Sequence, residues 1–388
     1  MNRTLWLLIP ACLPLAGQAP LLEALAAAKL SLEVRTRYEH VDDSAFVAPA
    51  THKTANALTN RTILGLETGD LWGAKATLQF ANVTALGDER YNSTRNGHTQ
   101  FATVQDPGQT QVLQAFVAWK GVKLGRQILS VDNQRFIGPG AWSQMPKSFT
   151  GVTVQQSFGL SWFELHAGHL TRIHTSTGVN RELKADFARF RFKPWSFLAI
   201  TPSIFAVEEP TTPATSYQHR GLRLDGAWKG VVYEAAYAQQ RRYADATTTP
   251  DRSYRQVMVG YKGKDWSVKA VHEALEGGFD TPLASLHGAY GWSDRIGRTP
   301  AAGLEDQYLQ AELKRWGFTF EVQAHRFRAE SASLAYGKEF NASVIYPLTK
   351  AFSVQLKAAD YQADAEAPAA GSLNRDLRKV WLMTTFKF

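Results

Sequence analysis

The 388-residue sequence has very little cysteine and no long apolar run in its main part. Its single cysteine, Cys12, lies in an N-terminal segment that we predict to be removed, so no disulfide or thiol chemistry is expected in the mature chain. Beyond that segment no stretch of about 18 apolar residues occurs, which excludes a membrane-spanning helix. No Asp, Glu or His cluster has metal-ligand spacing, and no Gly-rich phosphate loop joins a strand to a helix. We therefore predict no cofactor and no metal.

The first 19 residues have the features of a secretory signal. Arg3 supplies positive charge, residues 5–16 are apolar, and residues 17–19 form a small-x-small cleavage site. Cleavage is expected after Ala19, with residues 26–28 as a second possibility. The expected divisions are a signal peptide at 1–19, a short leader at 20–29 and a single β-barrel domain at 30–388. We therefore expect the chain to be exported through the periplasm to the cell outer membrane of a Gram-negative bacterium.

Strand-like alternation is the clearest pattern in the chain, and its last dozen residues show it well. Val380, Leu382 and Phe386 fall on one side of a period-two pattern, while Lys379 and Trp381 fall on the other. A terminal strand of this kind, ending on a free aromatic residue, is typical of the closing strand of an outer-membrane barrel. A soluble sandwich strand could look the same, so the prediction depends on the recurrence of the pattern along the whole chain.

Connections between the strands alternate in length. Short turns near Gly69, Gly121, Gly159, Gly230 and Gly317 alternate with longer polar loops, as in an up-and-down outer-membrane barrel. The longer loops are expected at 42–56, 85–109, 132–147, 174–182, 209–216, 245–252, 277–304 and 364–376, with a shorter one near 331–334. We predict an all-β, transmembrane antiparallel up-and-down barrel of about 18 strands, with 16 as an alternative. A mean hydropathy of −0.27 fits a barrel in which every second residue faces water.

Alternation also assigns charged side chains to the barrel interior, because Arg or Lys on the lipid face would cost about 2–4 kcal/mol near the midplane. Each base has two interpretations: it forms cross-strand ion pairs that stiffen the wall, or it belongs to a series of cations that passes carboxylates along. The acids expected on the same face nearly balance the bases. The candidate pore-lining or solute-binding residues are Arg35, Arg37, Arg61, Arg126, Arg135, Arg189, Arg191, Lys193, Arg223, Lys269 and Lys357.

Several short motifs in the first 150 residues resemble those of one known family. They are RTRYEHVD at 35–42, GLETG at 65–69, Asp106-Pro107, GRQ at 125–127 and DNQRFIG at 132–138. With these motifs the chain resembles the alginate export family of outer-membrane porins. The resemblance implies an 18-stranded barrel with a basic passage for an acidic polysaccharide. It also implies that Arg135 lies in a loop that narrows the pore.

We therefore predict a passive outer-membrane channel for hydrophilic solutes such as saccharides or organic acids, with a mild preference for anionic ones. One alternative is a general uptake porin for small sugars or organic acids, and another is a barrel enzyme or adhesin with a blocked lumen. No enzyme is expected, because His166 and His169 are three residues apart on a strand and point to opposite faces. The expected partners are outer-membrane lipid and the solute, without nucleic acid, and the chain is expected to be a monomer.

Overall fold

The computed structural model describes residues 18–43 and 53–388. Most of the predicted signal peptide, residues 1–17, and residues 44–52 of the predicted loop 42–56 lie outside the described residues. The described chain begins with helix α1 (Gln18–Ala26), which overlaps the predicted cleavage site and leader. In the described ranges no helix is long and apolar enough to cross a membrane.

Eighteen antiparallel strands form one closed sheet, as predicted, and the 16-stranded alternative is wrong. Each strand pairs with its neighbours in sequence, and β1 pairs with β18 to close the barrel. The strands are β1 (Lys29–Asp43), β2 (Ala55–Glu67), β3 (Ala74–Ala85), β4 (Gln109–Trp119), β5 (Val122–Gln127), β6 (Ser148–Gln156), β7 (Phe163–His174), β8 (Asn180–Trp195), β9 (Leu198–Glu208), β10 (Tyr217–Trp228), β11 (Val231–Arg242), β12 (Arg252–Lys262), β13 (Trp266–Leu275), β14 (Leu304–Arg315), β15 (Phe318–Arg328), β16 (Ala335–Pro347), β17 (Phe352–Ala363) and β18 (Leu377–Lys387).

The outer surface of the barrel is apolar. Leu78, Val257, Leu309 and Leu382 are exposed there, whereas their chain neighbours turn inward. Leu113, which alternation places on the lipid side, is instead buried, because the register of β4 shifts beside it. Seven tryptophans are exposed near the short turns, which form one rim of the barrel. They are Trp72, Trp119, Trp162, Trp195, Trp228, Trp266 and Trp316. Amphipathic indole rings favour the boundary between hydrocarbon and water, so this rim forms an interfacial girdle.

The interior near the long loops is filled by chain rather than left open. Phe279, Tyr290 and Ile296 from the loop between β13 and β14 pack with wall residues such as Tyr254 and Phe327. The loop between β5 and β6 adds Leu129, Val131 and Ile137 to a second apolar cluster. Two loops therefore fold into the barrel, residues 128–147 and residues 276–303, which we name the first and second inward loops.

The first inward loop leaves the wall early because β5 has only six residues. The loop that the sequence predicts at 132–147 therefore begins four residues earlier, at residue 128. Gly125 has a φ of 129°, in the region that favours glycine, and breaks the alternation just before the strand ends. Beyond the end of β5 no described strand lies between β4 and β6, and we call the gap between these two strands the wall seam. Arg126 bridges this gap. Its guanidinium donates to Gln111 Oε1 of β4 at 2.7 Å and to Ser148 Oγ of β6 at 2.8 Å.

Candidate functional site

The first inward loop is held at its start by the wall of β8 to β11. Asp132, with a φ of 50°, turns its carboxylate to Arg189 Nε at 2.5 Å and to an Arg223 nitrogen at 3.5 Å. The Asn133 amide donates to Glu234 Oε1 at 3.2 Å. These contacts show what the DNQRFIG motif does in this chain: its polar residues fasten the loop to the inner wall.

Arg135 anchors the same loop deeper inside the barrel. Its Nε lies 2.8 Å from Glu273 Oε1, and a second guanidinium nitrogen donates to Thr281 Oγ1 at 3.2 Å. The guanidinium also stacks over Tyr290, 4.4 Å from the ring centroid. Burial opposes the charge, but Glu273 and Tyr290 outweigh it and raise the pKa of Arg135. Arg135 is 3% exposed, so it joins both inward loops to the wall and has no free face for a solute.

The far end of the first inward loop reaches the opposite side of the barrel, where β1 and β2 carry three buried arginines. Arg35 donates to Gln144 Oε1 at 2.8 Å and to the carbonyls of residues 141–143. Arg37 donates to the Trp142 carbonyl at 2.8 Å and is ion-paired with Asp106. Arg61 is ion-paired with Glu33 and reaches the Gln144 carbonyl at 3.3 Å. The loop therefore crosses the lumen from one wall to the other.

Lys357 on β17 sits in a cage of three tryptophans where the two inward loops meet. Its Nζ lies 4.0 Å from the Trp142 ring centroid, 3.8 Å from that of Trp292 and 5.6 Å from that of Trp381. It also lies 2.7 Å from His287 Nε2. A cation held over indole faces out of water gains about 2 kcal/mol or more. Lys357 is therefore a fastening point for both loops.

His287 takes part in this cage as a neutral ring. Burial lowers its pKa to about 4, against the opposing effect of Asp294, whose Oδ1 lies 2.9 Å from Nδ1. In the neutral form Nδ1 can donate to Asp294 while Nε2 accepts from Lys357. The ring stacks on Trp142 at 4.5 Å, with planes 3° apart. Protonation of His287 would remove the acceptor and place a second cation beside Lys357.

Lys147 connects the two inward loops directly. Its Nζ donates to the carbonyls of Leu283 and Ala284 in the second inward loop. Burial lowers its pKa to about 8, with Arg181 adding a smaller effect of the same sign. Both loops thus form one packed structure inside the barrel.

The inner wall of β7 to β11 carries a paired charge cluster. Both Arg191 guanidinium nitrogens lie 2.7 Å from the Asp225 carboxylate oxygens, in a two-pronged pair. Arg189 contacts Glu164 at 2.6 Å in addition to Asp132, and Arg223 contacts Glu234 at 2.7 Å. Three guanidinium groups therefore face four carboxylates, so this cluster adds no positive excess to the lumen.

Other predicted site residues are placed differently. Lys193 and Lys269 have no carboxylate partner within 18–43 and 53–388, and Lys193 lies exposed near the short-turn rim. Arg126 was also predicted to line the lumen, and both of its hydrogen-bond partners, Gln111 and Ser148, belong to the wall. It pairs in register with Ala115 and Thr150. Its side chain therefore closes the wall seam.

The sequence analysis did not predict the tryptophan cage around Lys357, or the His287 ring that stacks on Trp142. Trp142, Trp292 and Trp381 are far apart in the chain, and only Trp381 alternates with lipid-facing neighbours on a strand. One signal was available: Trp142 and Trp292 lie in polar loops, where an indole side chain needs a partner.

His166 and His169 do face opposite sides, since His166 is buried against Phe187 and His169 pairs with Asp186 on the outside. In the described residues no group of three or more His, Cys, Asp or Glu side chains could hold a metal.

Comparison with known proteins shows similarity in structure. No protein-family model matches the sequence, and no curated protein matches it. The crystal structure of Pseudomonas aeruginosa OccD3 (OpdP) is similar with a TM-score of 0.68 at 14% identity, covering 94% of this chain and 92% of that one. Acinetobacter baumannii OccAB2 gives 0.71 at 12%, covering 94% and 99%. Pseudomonas aeruginosa OccK8 (OprE) gives 0.69 at 15%, covering 94% and 98%.

These similarities correct the resemblance to the alginate export family, because the similar structures named above are Occ-type outer-membrane porins. Of the motifs behind that resemblance, RTRYEHVD, Asp106 and DNQRFIG serve here to attach the first inward loop to the wall. Such attachment depends on a few charged residues and does not define a family. The fold is an 18-stranded outer-membrane porin barrel, and the chain is a protein of a Gram-negative outer membrane.

Proposed function

We propose that this chain is a passive channel for the uptake of small hydrophilic solutes. The strongest support is the path of the first inward loop, which is attached to β8–β11 by Asp132 and to β1–β2 by Gln144. A loop that crosses the lumen narrows it, which obstructs a polysaccharide chain far more than a small molecule. Selection then comes from the width of the remaining passage and from the charges beside it.

Only a weak preference for anions is proposed. Arg37, Arg61 and Arg191 each face a carboxylate, so their fields are largely cancelled at short range. Arg35 has only neutral acceptors among its described partners, and Lys269 has no carboxylate partner in the described ranges. These two bases support a slight positive potential along the passage.

Conductance and solute-entry measurements on the refolded, full-length mature protein test the proposal. In planar bilayers we expect discrete channels, with a small shift of the reversal potential toward chloride in a potassium chloride gradient. In liposome swelling we expect entry of monosaccharides and small organic acids, but not of long oligosaccharides. Absence of any conductance would favour a barrel enzyme or adhesin with a blocked lumen. Entry of long acidic oligosaccharides would favour the exporter function instead.

A further inference from the structure

A basic patch faces outward on the outer wall, at the end of β13 to β16 that leads to the long loops. Arg326 lies directly opposite Gln307 on one side and Lys338 on the other. Both cations are exposed, and neither has an ion-pair partner in the ranges 18–43 and 53–388. Like charges opposite each other on neighbouring strands are destabilising unless an anion lies between them. This pair therefore lacks a counter-charge in the described protein.

The nearby acids are engaged elsewhere. Glu305, diagonal to Arg326 on β14, accepts from Gln307 at 2.6 Å and lies 3.8 Å from His272. Asp360, diagonal to Lys338 on β17, is ion-paired with Arg378 at 2.8 Å. Glu330 is ion-paired with Arg255 at 2.7 Å. The local excess of positive charge at Arg326 and Lys338 thus persists within the patch.

An apolar groove of about 640 Å³ runs along the wall directly beside these cations. Val259, Ala270, Leu309 and Ala324 form its floor in one row across four strands. Ala270 and Ala324 form the depression, because they have short side chains. The larger side chains beside them in the row, Val259, Leu309 and Phe340, project further from the wall. Arg326, Lys338 and Gln307 close the groove at the end nearer the long loops.

We infer that this groove binds a phosphorylated glycolipid of the outer leaflet. In an outer-membrane barrel the long loops face the cell exterior, so the cations lie at the level of the lipid head groups and the groove at that of the acyl chains. Arg and Lys bind phosphate through short, charge-assisted hydrogen bonds. The groove accommodates one acyl chain against alanine and valine, and the phosphate supplies the missing counter-charge between Arg326 and Lys338.

Native mass spectrometry on the full barrel in detergent tests this with diphosphorylated lipid A as the probe. The patch variant is Arg326→Gln/Lys338→Gln, and the groove variant is Ala324→Phe. The matched control is Arg172→Gln/Lys184→Gln, since these exposed bases lie at the same rim, away from the patch, and are paired with Glu182 and Glu208. All changes are on the exposed outer face, and a heat-dependent gel shift checks that each barrel has folded.

We expect the patch variant to bind lipid A at least about tenfold more weakly, because each lost phosphate contact weakens binding by about that factor. The groove variant should also weaken binding, while the control should bind as the unaltered protein does. Dephosphorylated lipid A should bind the unaltered protein weakly. Equal binding by patch variant and control would overturn the inference. So would displacement of lipid A by millimolar inorganic phosphate, which would indicate a plain anion site.

Discussion

At the scale of single residues, the inner wall is governed by burial. A guanidinium stays charged, so burying it deep in the barrel is stable only where carboxylates or carbonyls surround it. Arg135 has Glu273, Thr281 and the Tyr290 ring, and Arg35 has four oxygen acceptors. Residues that sequence reasoning nominated for solute binding are thus mostly engaged in holding loops. The solute meets a surface on which charge is already paired.

Arg135→Gln is expected to loosen the first inward loop. It leaves the Glu273 carboxylate buried without its ion-pair partner, with only the Tyr254 hydroxyl among the described residues donating to it at 2.9 Å, which costs about 3–5 kcal/mol. Limited proteolysis of the folded barrel should then cut within residues 128–147, and single-channel conductance should become larger and noisier. The double variant Arg135→Gln/Glu273→Gln removes both charges and should recover part of the protection. Equal protease resistance of Arg135→Gln and the unaltered protein would argue against this anchoring role.

Acidification is expected to release the second inward loop through His287. Its folded-state pKa, about 4, lies below the ordinary value of about 6.5. Between about pH 4 and 6.5 the undocked loop therefore binds more protons than the docked loop does. The free energy of docking weakens as pH falls through this range, by up to about 3 kcal/mol. Single-channel records should show more frequent transitions between conductance levels at pH 4.5 than at pH 7. A His287→Gln variant, which has no titrating ring, should lose most of that pH dependence.

At the scale of elements, the early end of β5 has the largest consequences. Six residues are too few to continue the wall to the long-loop rim, so the chain turns inward at residue 128. The loop that results contributes Asp132, Arg135 and Trp142 to three different sites in the lumen. A short strand, with Arg126 closing the seam it leaves, therefore sets the shape of the passage.

The balance between positive and negative side chains on the inner face of β8 and β10 should set the ion selectivity of the channel. Because Arg191 and Asp225 form a close pair, removing either one exposes the charge of the other. Arg191→Ala should shift the reversal potential toward potassium, and Asp225→Asn should shift it toward chloride. The double variant Arg191→Ala/Asp225→Asn should lie close to the unaltered protein. Shifts of the same sign in both single variants would contradict a location of this pair beside the ion path.

At the scale of the whole molecule, closure of the barrel depends on the first and last strands. Residues 33–43 of β1 pair with residues 377–387 of β18, and the Phe388 amide donates to the Leu32 carbonyl at 2.8 Å. With no free edge, every strand has two neighbours, which satisfies the backbone in a membrane. The terminal aromatic residue thus belongs to the closing pair.

A disulfide across this seam tests the closure. Thr36 and Thr384 are register partners on the outer face, and the expected mature chain has no other cysteine. Oxidised Thr36→Cys/Thr384→Cys should form an internal cross-link that changes mobility on denaturing gels until a reductant is added. Thr36→Cys/Val380→Cys, displaced by four residues, should not, because its Cα atoms are too far apart for a disulfide. Cross-linking of both pairs alike would contradict this register.

The barrel class, an approximate strand count, the faces of the regular strands and the parity of the connections follow from the sequence alone. A side chain at a given position in a strand faces either lipid or water, and alternation records which, as at Leu382 and Trp381. Tertiary structure alone decided which partner each charge meets and where the loops go. Arg135 finds Glu273 across 138 residues of sequence, and Lys357 finds Trp142 and His287 on different loops. Such contacts depend on how loops fold back into a closed barrel, which periodicity along one strand does not encode.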